Sequence, residues 1–86
     1  MNELQELLII TMEECGELIQ ACSKAIRSES YYNNEKLIEE IGDVECMIDL
    51  IYEYDLASPT DVDKRIDEKR EKLKRWSNLI IDDTRI

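Results

Sequence analysis

The stretch NELQELLIITMEECGELIQACSKAIR, residues 2–27, decides the fold. Leu4, Leu8, Thr11, Cys15, Leu18, Cys22 and then Ala25 or Ile26 recur at spacings of four and three. That is the period of one helix face, not the alternation of a strand. Asn2 is suited to cap such a helix, and Glu3 and Glu6 fall near the positive end of its dipole. The spacing predicts a first helix over about Asn2 to Arg27, roughly 35–40 Å long. Ser28 to Asn34 is polar and reads as a loop. A second helix follows from about Asn34 to Tyr54, with a stripe at Leu37, Ile41, Val44, Met47 or Ile48, and Ile51. A third starts at Ser58-Pro59-Thr60-Asp61, where Ser58 can cap, Pro59 suits the first helical position and Asp61 can reach back. It is expected to run to about Ile80, leaving Ile81 to Ile86 as a short turn or disordered tail.

Two glycines and one proline offer little punctuation in 86 residues, and no β-branched run alternates with period two. The expected fold is all-α: an antiparallel hairpin of long helices plus a third, in one domain spanning residues 1–86. A domain this small buries little core of its own. Ile9, Met12, Ile38 and Tyr52 also lie off the main stripes. The helices are therefore expected to form an oligomeric bundle, a homodimer or homotetramer with a shared core.

Several chemistries are excluded. The chain has no histidine, so His-based catalysis and haem ligation by His are ruled out. Its three cysteines, Cys15, Cys22 and Cys46, form no Cys-x-x-Cys pair, which argues against a disulfide framework or zinc site. No apolar run approaches the length of a membrane span, and the start does not read as a signal peptide. A reducing, cytoplasmic setting is expected. The formal charge is −10, unevenly spread: residues 1–58 hold 14 acids and 3 bases, residues 59–86 hold 7 acids and 8 bases. Such a field repels nucleic acid over most of the surface. It suits cations, or a small polyanion that arrives with its own cations.

Most acids fall on polar faces, but four do not. On a helical wheel Glu14 and Glu17 share a flank with Leu7, Ile10, Ala21 and Ala25. Glu40 falls between Val44 and Met47, and Asp43 between Met47 and Leu50. Each helix thus carries an i, i+3 acid pair directed inward, and residues three apart are neighbours on one face. Buried charges must be paired or bind metal. A single such pair is usually answered by Lys or Arg from a neighbouring helix; two pairs on adjacent antiparallel helices favour a cation. Oxygen-only ligands suit magnesium, with manganese as the alternative. In the third helix the seam Val62, Ile66, Leu73, Trp76 and Ile80 has Lys69 where an apolar residue belongs, flanked by Arg65 and Lys72. Lys69 either snorkels from the seam edge or aims its ammonium at a phosphate chain.

Glu13-Glu14-Cys15-Gly16-Glu17-Leu18, followed by Glu39-Glu40-Ile41-Gly42-Asp43-Val44, resembles the Glu-Glu-x-x-Glu … Glu-x-x-Asp signature of the MazG-like nucleoside triphosphate pyrophosphohydrolases, in the all-α NTP pyrophosphatase superfamily. The likeness covers roughly residues 4–76. It implies that Glu14, Glu17, Glu40 and Asp43 bind magnesium and that downstream basic residues, matching Lys69, Lys72 and Arg75, contact phosphates. The implied reaction hydrolyses a nucleoside or deoxynucleoside triphosphate to monophosphate and pyrophosphate. In it Glu14 or Glu17 accepts a proton, and Lys69 and Lys72 steady the departing pyrophosphate. Tyr31, Tyr32, Tyr52 and Trp76 are the aromatic rings available to stack on a base, Trp76 fitting a core anchor as well. Two rival readings are a non-catalytic acidic helical interaction protein and a superfamily member that binds nucleotides without cleaving them. Gly16 and Gly42 lie away from the acids and read as surface drift or as points of close helix approach.

Overall fold

A computed structural model describes residues 1–80. Three α-helices follow one another: α1 (Glu3–Ser28), α2 (Glu35–Glu53) and α3 (Pro59–Trp76). The expected tail after Ile80 lies outside the described residues. Two units are distinguished, Met1–Leu56 and Ala57–Ile86.

In the first unit α1 and α2 pack against each other as a hairpin. Asn2 caps α1 by accepting from the Gln5 N–H at 2.8 Å, while Gln5 Oε1 accepts from the Asn2 N–H at 3.0 Å. Two orphan amides of the first turn are thereby satisfied. At 26 residues α1 is about 39 Å long. Glu29 stops it by taking a left-handed conformation at φ 53°, the geometry usually given to glycine. The Ser30 N–H then closes onto Ala25 O at 3.0 Å. Asn34 restarts the chain by accepting from the Leu37 N–H at 3.0 Å.

The packing face of α1 is not the stripe with the most apolar residues. Leu7, Ala21 and Ala25 are buried, whereas Leu4, Leu8, Cys15, Cys22 and Ile26 are exposed. The flank bearing Glu14 and Glu17 is itself the helix–helix seam. Alanine at 21 and 25 presents no bulk, so the backbones can approach there; the stripe of larger side chains is left outside. On α2, Met47 is buried and Leu37, Val44 and Ile51 are half-buried, but Ile41 and Ile48 face out. Met12, Ile19 and Ile38 add to the exposed apolar surface.

In the second unit Ser58 caps α3, with Pro59 in its first turn. The helix ends at Trp76 instead of Ile80. Ser77 turns extended at φ −141°, and its Oγ donates to Leu73 O at 3.0 Å while accepting from the Leu79 N–H at 3.2 Å. A serine that bonds its own backbone competes with helix continuation. None of the described α3 side chains is fully buried. Val62 and Leu73 are half-buried, Ile66 is exposed, and Trp76 is 83% exposed, so it anchors no core among the described residues. None of the described helices is long and apolar enough to cross a membrane.

Candidate metal centre

The hairpin holds one antiparallel register along its seam. Leu7 and Leu50, then Ile10 and Met47, line one pocket. Ala21 and Lys36 line another. Between them Glu14 meets Asp43 and Glu17 meets Glu40. The two acid pairs thus stand face to face across the helix interface. One carboxylate oxygen from each of Glu14, Glu17, Glu40 and Asp43 can be chosen so that all four lie within 4.8 Å of one another.

Glu40 is the most buried of the described residues, at 1% exposed. Neither of its oxygens, nor Glu14 Oε2, has a hydrogen-bond partner. Lys36 Nζ lies 3.2 Å from Glu40 Oε1, a charge contact without hydrogen-bond alignment. The better-made bond of Lys36 goes to Glu39 Oε2, at 2.7 Å. Burial pushes the Glu40 carboxyl above its ordinary 4.5, and the Lys36 ammonium offsets this only in part. Glu14 is pushed up too, first by burial, then by the Glu17 and Asp43 carboxylates. Lys36 holds Glu39 below 4.5, while Glu39 and Glu40 together raise the lysine itself.

Four convergent carboxylates, three of whose buried oxygens accept no hydrogen bond, face only the Lys36 ammonium and are short of positive charge. A hard divalent cation satisfies such a set: it accepts oxygen ligands only and tolerates water in its remaining positions. Where it binds, the cost of holding unpaired carboxylates together is offset.

All four acids singled out from sequence converge. Lys69, Lys72 and Arg75 are exposed along α3. In the same helix Arg65 pairs with Glu68 at 3.6 Å and Lys74 with Glu71 at 3.0 Å. Tyr31 and Tyr32 sit exposed in the turn between α1 and α2. The sequence reading missed three residues that flank the centre. Tyr54, with Glu3 and Glu6, closes the pocket of about 320 Å³ at one end. Lys24 and Lys36 line the pocket of about 190 Å³ at the other. The i, i+4 spacing of Lys36 and Glu40 was the available signal for one of them.

No family model, curated protein or solved structure matches the chain.

Proposed function

We propose that this chain hydrolyses nucleoside or deoxynucleoside triphosphates to monophosphate and pyrophosphate with magnesium, as the likeness to the MazG-like pyrophosphohydrolases implies. The observation that carries the reading is the convergence of Glu14, Glu17, Glu40 and Asp43, with oxygens within 4.8 Å and Glu40 buried. These four side chains would hold the metal. A bound magnesium supplies charge neutralisation for the triphosphate and acidifies water at the site. Glu14 is suited to receive the proton of the attacking water, because its Oε2 is buried without a hydrogen-bond partner. The pocket beside Tyr54 has an apolar floor at Leu7, Ile10, Met47 and Leu50, with the Glu3 and Glu6 carboxylates at its edge. That is suited to an aromatic base carrying N–H donors.

The stripe of Leu4, Leu8, Cys15, Cys22 and Ile26 on α1, with Ile41 and Ile48 on α2, is exposed. We assign it to contact between copies of the chain in a homodimer or homotetramer. The three free thiols suit a cytoplasmic, reducing setting. The deciding assay incubates the full chain with a panel of NTPs and dNTPs plus magnesium and measures pyrophosphate. Release for at least one nucleotide, lost in Glu40→Gln, is expected. Magnesium binding without pyrophosphate from any of the panel would leave a cation- or nucleotide-binding protein instead.

A further inference from the structure

The first 58 residues contain only three basic side chains, Lys24, Arg27 and Lys36, against 14 acids. Two of the three, Lys24 from α1 and Lys36 from α2, line one pocket with Glu17, Gln20 and Ala21. Glu17 belongs to both the pocket and the carboxylate cluster, so the two are contiguous. Glu17 and Lys24 are seven residues apart on one helix, about 10 Å along its axis. A phosphate chain is shorter than that span, and the flexible four-carbon stem of Lys24 lets its ammonium reach back towards the cluster.

The two lysines are held differently. Lys36 sits 3.2 Å from buried Glu40 and 2.7 Å from Glu39. Lys24 takes no part in the ion pairs among the described residues, which involve only Lys36, Arg65 and Lys74 as cations. An ammonium left free at the edge of a carboxylate cluster, with acids within reach, is poised for an anion that comes from outside. Lys36 meanwhile serves as the resident counter-charge of Glu40.

We propose that Lys24 and Lys36 clamp the terminal phosphates of the substrate, with Lys36 passing from Glu40 to phosphate once a cation neutralises that carboxylate. This rests on the pyrophosphohydrolase reading and gives it a direction. The base lies at the Tyr54 end, the scissile phosphorus at the four carboxylates, and the leaving pyrophosphate at the lysine end. Hydrolysis breaks the bond between the α-phosphorus and its bridging oxygen, and water supplies the new oxygen. The pyrophosphate that departs keeps the bridging oxygen and the two lysine contacts.

The test titrates inorganic pyrophosphate with magnesium into the full chain by calorimetry. Lys24→Met should weaken pyrophosphate binding by about tenfold or more, as expected for loss of one charge-assisted phosphate contact. Lys24→Arg should restore most of it. Binding of magnesium alone and of adenosine monophosphate should be unchanged in Lys24→Met, because neither reaches that end of the groove. Unchanged pyrophosphate affinity in both Lys24→Met and Lys36→Met overturns the clamp, and the hydrolase reading survives if the parent still releases pyrophosphate from an NTP. Lysine-dependent pyrophosphate binding in a parent that cleaves no NTP keeps the clamp and removes the hydrolase. A parent that binds no magnesium pyrophosphate overturns the clamp outright.

Discussion

Magnesium should raise the melting temperature of this chain steeply, and Glu40→Gln should remove the effect. The folded hairpin gathers four carboxylates within 4.8 Å, a site that the unfolded chain lacks. Binding to the folded state alone adds about 2.7 kcal/mol at a hundredfold excess over Kd, and about 1.4 kcal/mol for each further tenfold. An 86-residue chain has an unfolding entropy of about 0.18 kcal/mol/K. The expected rise is thus about 15 °C at a hundredfold excess, then about 8 °C per decade for one ion and about twice that for two. Differential scanning fluorimetry over a magnesium series, at constant ionic strength held with sodium chloride, reads the slope directly. In Glu40→Gln the slope should collapse while the metal-free melting temperature rises, since an isosteric amide removes a buried charge that no hydrogen bond satisfies. The reasoning fails if the variant keeps the parental slope. It fails equally if sodium at matched ionic strength stabilises the parent as much as magnesium does, because the effect would then be screening of a chain of charge −10.

The pH dependence of the metal-free protein should have an unusual sign. Glu14 and Glu40 are raised above 4.5, so their contribution is fully present below 4.5 and is lost as pH climbs through the folded values. Glu39 is lowered, so its contribution holds above 4.5 and is lost only below that. Urea melts in chelator should therefore show stability increasing as pH falls from neutral towards 4.5, and the slope should flatten in Glu40→Gln. Gly16→Ala and Gly42→Ala meet nothing within 4 Å of the added Cβ. Each should add about 0.5–1 kcal/mol, or about 3–6 °C; a gain in monomer stability coupled to loss of assembly in light scattering would place the glycines at a subunit contact. Leu8→Glu with Ile19→Glu on the exposed stripe should yield a monomer of unchanged helix content by circular dichroism. A compact monomer in the parent would remove the assembly proposal. Lys69→Met, at an exposed position on α3, should leave stability within about 0.5 kcal/mol. If Lys69 contacts phosphate, kcat/KM should fall by about 10- to 150-fold; an unchanged value leaves Lys24 and Lys36 to hold the phosphates.

The three helices and their caps at Asn2, Asn34 and Ser58 were legible because apolar spacing and capping chemistry are local. The end of α3 was not: the serine at 77 satisfies backbone groups with its own hydroxyl, and no glycine or proline flags the stop. The seam of α1 was misjudged for a different reason. Two stripes run along that helix, and the richer one, through Leu8, Cys15 and Cys22, was the natural choice by hydrophobicity. The real interface buries Ala21 and Ala25 together with the acids it encloses, and wheel arithmetic does not weigh two helices against each other. The four carboxylates were recoverable because each pair sits within one helix turn. The flanking lysines and Tyr54 acquire meaning only across the hairpin, once the register is known.

A carboxylate at the most buried position of the hairpin also shapes what mutation can do to this chain. Seam positions of a long helical hairpin are where proteins ordinarily gain robustness, by exchanging one aliphatic side chain for a better-fitting one. Here the central positions of that seam are Glu14, Glu17, Glu40 and Asp43, and Glu40→Leu or Glu14→Leu would tighten the fold at the expense of the centre. Stabilising changes that spare the centre are therefore confined to the periphery: the helix caps, the loops, Gly16 and Gly42, and the outer stripe. Laboratory selection for heat resistance alone should drift towards leucine at the four acids. Selection that also requires cation binding should leave them untouched and accumulate its substitutions at the two ends of the hairpin.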